Sequence, residues 1–215
     1  MEQFSRIISW LFIPLMAPVI ALLIAAYVPS DSVIDRMEII YLIPPDWKQL
    51  LLIMFAFFSI LIPSFTILFM KYSGAISTVM MDNRKERIIP SFFVNLSAVA
   101  LFYLVQMKDP DHLLPSAIYG LMVGSFSTVF LCTIITRWWK ISLHAAGMGI
   151  LSGFLFAYYW HIDYYYFWLL PTSLVMSGIV MSARMYLGKH SLEQCLAGFA
   201  LGAISLAICV SLFHP

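Results

Sequence analysis

Charge is scarce in this sequence. Of its 215 residues only 11% are Asp, Glu, Lys or Arg, whereas 62% are hydrophobic and 16% aromatic. A soluble domain carries about 25% charged residues, so a soluble globule is excluded, and so is a disordered chain. The formal net charge of +1 supplies no general pull toward nucleic acid, and no nucleic-acid partner is expected. Cysteine is also rare. Cys132, Cys195 and Cys209 lie in apolar stretches with no CxxC spacing, which excludes a disulfide framework and a zinc ribbon. No Asp/Glu/His cluster has metal-ligand spacing, so neither metal nor other cofactor is expected. Strand-like alternation in ~10-residue segments is missing, which argues against a β-barrel. There is no internal repeat, low-complexity tract or linker, and residues 1–215 read as a single transmembrane domain.

Long apolar runs are what the chain has instead, with a mean hydropathy of +0.91. Seven stretches lack Asp, Glu, Lys and Arg: 7–30, 49–70, 88–107, 112–136, 141–162, 164–183 and 194–215. Each is long enough to cross a bilayer, which takes about 20 residues. Lipid offers the backbone no hydrogen-bond partners, so each span is expected to be helical. The expected fold is an all-α integral membrane bundle of about seven helices, or six if the short-linked neighbours 141–162 and 164–183 are re-entrant. The first span is too long for a signal-peptide core and is expected to be retained. Ile39–Leu42, before Pro44 and Pro45, reads as a loop or interfacial piece. The Gly198/Gly202 spacing and the small residues Ala145, Ala146, Gly147, Gly149 and Gly153 read as helix-packing positions.

Seven spans sort the loops onto two sides. One side holds Arg6, Lys71, Arg84, Lys85, Arg87, Arg137, Lys140, Arg184 and Lys189 against Glu2, Asp82, Glu86 and Glu193, nine bases minus four acids or +5. The other holds Arg36, Lys48 and Lys108 against seven acids, or −4. The positive-inside rule makes the basic side cytoplasmic, although bases placed to bind an anion would weaken that vote.

His144 and His190 both fall on the basic side, beside Arg87 and Arg184. Arg grips phosphate oxygens with a planar fork, and His can act as nucleophile or proton donor near neutral pH. Ser142 is a plausible N-cap for the helix that carries His144, and a helix N-terminus favours an anion. Gly188 lies between Arg184 and His190, where one helix stops and the next starts at Ser191. Ser191-Leu-Glu-Gln194 also has the form of a capping box.

Three segments together resemble the motifs of the type 2 phosphatidic acid phosphatase (PAP2) superfamily, K-x6-R-P, P-S-G-H and S-R-x5-H-x3-D. Arg184, five intervening residues and His190 fit the third. Ser142-Leu143-His144 is similar to the second, with Leu for Gly. Arg84-Lys85-Glu86-Arg87-Ile88-Ile89-Pro90 is a partial match to the first, with Met80 where that motif has Lys. The resemblance spans residue 84 to the C-terminus. It implies a membrane phosphatase or phosphotransferase acting on a lipid phosphate or polyprenyl diphosphate. His190 would form a phosphohistidine, and His144 would protonate the leaving group. Arg184, Arg87, Ser142 and Lys85 would hold phosphoryl oxygens. The resemblance further implies a bacterial inner membrane.

Gln194 stands where the family has the Asp that orients the nucleophile. An amide can fix the tautomer but cannot stabilise imidazolium as a carboxylate does, and it can also favour the wrong tautomer. The alternative is therefore a catalytically silent relative with a lipid-binding or structural role. A transporter would want mid-span polar residues, of which Asn95 is nearly alone, and Asp31-x3-Asp35 is too isolated for an aspartate-rich prenyltransferase.

Overall fold

The computed structural model describes residues 1–33, 36–79 and 84–213, with the side chains of residues 84 and 85 outside the description. Apolar sequence becomes helix nearly throughout. In chain order these are α1 (Glu2–Leu11), α2 (Ala17–Tyr27), α3 (Pro45–Ala56), α4 (Ile62–Tyr72), α5 (Ile88–Lys108), α6 (Ser116–Thr136), α7 (Leu143–Trp160), α8 (Leu169–Tyr186) and α9 (Leu192–Phe213). Among the described residues the one β feature is an isolated bridge between Asp31 and Tyr164.

Proline explains two breaks. A 3₁₀ turn at Pro14–Met16 joins α1 to α2, and a π turn at Phe57–Leu61 joins α3 to α4. In the second, Pro63 has no N–H to donate back along the helix, and the wider turn absorbs the mismatch. Counted through these breaks, the described residues make seven long helical passes, which is the expected fold class. Five are long and apolar enough to cross a membrane: Glu2–Tyr27, Pro45–Tyr72, Ile88–Lys108, Ser116–Thr136 and Leu192–Phe213. The other two, α7 and α8, have 18 residues each.

The helix ends differ from the charge-free runs for local reasons. The first pass reaches back to Glu2, where Arg6 pairs with Glu2 one turn back at 2.6 Å. The eighth helix starts only at Leu169, since residues 163–168 form the turn that bridges to Asp31. Within Ile39–Leu42, residues Ile40–Leu42 form a short 3₁₀ turn, and Ile39 and Ile40 are buried in the core. The Ile40 N–H is satisfied there by the Tyr158 hydroxyl at 2.8 Å.

The outward faces are apolar. Ile53, Phe65, Phe69, Ile204 and Leu212 are all exposed, an arrangement suited to lipid as the solvent. At the centre, α7 packs most extensively against α9. A Cβ on Gly149 or Gly153 would overlap the α9 backbone at Phe199 or Ala203, and one on Gly198 or Gly202 would overlap the α7 backbone. The small residues thus let the two helices touch main chain to main chain.

This seam positions the site. α5, α7 and α9 begin, and α4, α6 and α8 end, at the same end of the bundle. The far end is closed by side chains bonding loops. Asp109 accepts from Leu113 and Leu114 N–H and from the Tyr119 hydroxyl, Glu38 accepts from Ser116, and Asp163 accepts from Ser32.

Candidate active site

The turn from α8 to α9 brings Arg184 and His190 together. Gly188 adopts φ +63°, which an L side chain tolerates poorly. Around it Lys189 N–H bonds Arg184 O at 3.1 Å and Gly188 N–H bonds Met185 O at 2.9 Å. This paired closure is a Schellman motif. It ends α8 sharply and leaves Arg184 in the last turn, where a cation is favoured. Two residues after Gly188 comes His190, then Ser191 opens α9.

Gln194 then acts in two bonds. Its Oε1 accepts from the Ser191 main-chain N–H at 3.3 Å, while Ser191 Oγ accepts from Gln194 N–H at 3.4 Å. That is the capping box. The same Oε1 lies 3.0 Å from His190 Nδ1. A main-chain N–H can only donate, so the amide oxygen must face it, and Nδ1 must bring the proton to that oxygen. The lone pair is left on Nε2. The amide thus selects the tautomer that a carboxylate would.

The second segment is tied to the third through the backbone. Ser142 N–H donates to Gln194 O at 3.2 Å. Ser142 is fully buried, and its hydroxyl accepts from Ala145 N–H at 3.4 Å, capping α7. Ser142 is not among the residues lining the cleft described below. His144 sits in the first turn of α7 and its Nε2 lies 3.1 Å from Ser9 O in α1. Arg87, at the start of α5, donates from Nη1 to Ile141 O at 3.4 Å. All three motif segments are therefore joined at one end of the bundle.

His144, His190, Arg87 and Arg184 line a single cleft of about 310 Å³. Arg87, Arg184 and His190 are buried at 5%, 3% and 8% exposure. The rest of the wall is mostly apolar and includes Ile13, Ile67, Leu68 and Val94. A narrower apolar pocket continues from it, sharing Pro14, Leu15, Val94, Val129 and Leu143 and reaching Cys132 and Ile150. Burial pushes the His190 imidazole down to about 4; the bond to Gln194 opposes this, and the positive charges of Arg87, Arg184 and Lys140 add to it. Near neutral pH the ring is uncharged, with its Nε2 lone pair available.

The Lys85 side chain lies outside the described residues, as does Met80. Three participants had no signal in the motifs. Ser9 and Trp10 of α1 form one wall of the cleft. Lys140, next to Trp138 and Trp139 in sequence, also acts electrostatically on His190. The amphipathic pattern of α1, with Ser5, Ile8 and Ser9 buried and Phe4, Ile7, Trp10 and Leu11 exposed, could have indicated a packed helix but not its partner.

Comparison with known proteins agrees with this geometry over part of the chain. Residues 138–215 match the model of the PAP2 superfamily. No curated protein and no solved structure matches. The matched stretch contains His144, Arg184, His190 and Gln194, and leaves Arg87 and the α1 wall outside it. Through residues 138–215 the chain is similar to the PAP2 superfamily, a helical membrane family.

Proposed function

We propose that this protein is a membrane-embedded phosphatase or phosphotransferase acting on a lipid phosphate or polyprenyl diphosphate without a metal. The observation that carries the reading is the shared cleft: two imidazoles and two guanidiniums at one end, apolar walls behind them. His190 Nε2 attacks phosphorus, forming an N–P bond as the bond from phosphorus to the lipid oxygen breaks. His144 delivers the proton to that leaving oxygen. Water then attacks the phosphohistidine, the N–P bond breaks, and His144 takes the water proton. Arg87 and Arg184 neutralise charge on the phosphoryl oxygens, which is the main electrostatic route to phosphoryl transfer. Lys85 is a further proposed cation for these oxygens. Ser142 supports the site by starting α7, so that helix N–H groups face the anion.

The charge imbalance of the loops supports a cytoplasmic site, and the family resemblance supports a bacterial inner membrane. Cysteine labelling at 84–90 in intact cells tests the side. The function is tested with purified protein in detergent and a panel of lipid mono- and diphosphates. Wild type should release phosphate, should trap acid-labile phosphate, and should lose both with His190→Ala. Equal release from the two proteins, or none from either, would reject catalysis. The silent-relative reading draws on Gln194 in place of a carboxylate, and it is what remains if wild type releases nothing.

A further inference from the structure

Among the described residues, five buried side-chain groups with hydroxyl or amide oxygens have no hydrogen-bond partner: Ser9 Oγ, Ser30 Oγ, Asn95 Oδ1, Ser125 Oγ and Tyr159 OH. Leaving such an atom unsatisfied is unfavourable, and each one calls for an explanation. Of these residues Ser9 alone lines the cleft that holds both histidines. Ser9 is 1% exposed. It lies on α1, outside every motif and outside the family match.

The geometry around Ser9 is specific. Its carbonyl is one of the last in α1, where helical carbonyls lack an N–H four residues on. His144 Nε2 occupies that carbonyl at 3.1 Å. A carbonyl can only accept, so Nε2 carries a proton there. The negative end of the α1 dipole is thereby faced by a ring N–H rather than by an approaching anion. The hydroxyl of the same residue is left over. Ser9 and Arg184 also line a second, wider opening between α1 and the end of α8, together with Lys189 and the Arg6–Glu2 ion pair. Ser9 therefore lies between the cleft and this opening, beside Trp10, Ile13 and Pro14.

We propose that Ser9 is a phosphate-binding residue of this site, its hydroxyl donating to a phosphoryl oxygen held by Arg87 and Arg184 while its carbonyl seats His144. This rests on the phosphoryl-transfer reading for the identity of the anion, but not on turnover. α1 then becomes part of the binding machinery, supplying a neutral donor from a helix beyond the three motifs.

The test is binding of inorganic phosphate to the full-length protein in detergent at neutral pH, measured by titration calorimetry. A hydrogen bond to a charged group predicts that Ser9→Ala weakens binding by about ten-fold or more. Ser9→Thr should bind within about two-fold of wild type. Ser5→Ala, at another buried serine of α1 that does not line the cleft, should do the same. Apo Ser9→Ala should melt no lower than wild type, because it loses an unpartnered hydroxyl, and this separates lost binding from lost fold. Phosphate affinity unchanged in Ser9→Ala would overturn the proposal, and so would no phosphate binding by wild type. Weakened binding in a protein that hydrolyses nothing on the lipid panel would reject catalysis and keep Ser9. Turnover with unchanged phosphate affinity in Ser9→Ala would do the reverse.

Discussion

The amide oxygen of Gln194 accepts from His190 Nδ1 and from the Ser191 main-chain N–H at 3.0 and 3.3 Å. It fixes the ring but offers no negative charge when Nε2 bonds to phosphorus and the imidazole becomes cationic. A carboxylate would make a charge-assisted bond about twice as strong. Gln194→Asp should therefore raise kcat by about ten-fold or more, read from steady-state phosphate release. Gln194→Ala should slow release and also cost about 1 kcal/mol of stability through the lost cap, read from thermal melts. A pH dependence follows from His190 itself. Its folded value of about 4 lies below the ordinary 6.5 because of burial first and the nearby Arg and Lys charges after it. The folded chain then binds fewer protons than the unfolded one. The resulting stabilisation is complete above 6.5 and is lost as pH falls through 6.5 toward 4. Melting temperatures measured across that window should fall less steeply in His190→Gln than in wild type.

At the scale of elements, the α7–α9 seam and the α8–α9 turn set the site. Gly202→Leu would drive a side chain into the α7 backbone at Ala146 and Ile150. Overpacking of this kind costs about 1–3 kcal/mol or more, and the variant should melt earlier and release less phosphate. Gly178→Leu in α8 is the matched comparison, since nothing lies within 4 Å of a Cβ there, and its melt should stay near wild type. Sequence reasoning reached these elements because apolar length and small-residue spacing are local properties. It located seven passes and the pairing of Arg184 with His190, since five residues around Gly188 leave little freedom. It did not find the breaks at Pro14–Met16 and Phe57–Leu61, where hydrophobicity is uninterrupted and only the register of the backbone changes. Nor did it find the α1 wall. The bond from His144 to Ser9 joins residues 135 apart in sequence, and no periodicity encodes a contact that only the finished bundle creates. For Gln194 the sequence offered helix capping and histidine orientation as separate readings, whereas one oxygen serves both.

For the molecule as a whole, a polar end and an apolar cleft running behind it should make turnover depend on chain length. Each methylene buried contributes about 0.8 kcal/mol, or roughly a four-fold change in affinity. KM for a series of alkyl phosphates should fall by about that factor per carbon until the cleft is full, and then level off. A KM independent of chain length would place the tail outside the cleft. The three chemical segments and α1 are fastened to one another largely through main-chain oxygens: Arg87 to Ile141 O, Ser142 N–H to Gln194 O, His144 to Ser9 O. A carbonyl is present whatever residue carries it. The spacing of the reacting groups is thus written into the polypeptide's peptide units, so replacements at 9, 141 or 194 can retune the chemistry without dismantling the frame that aims it.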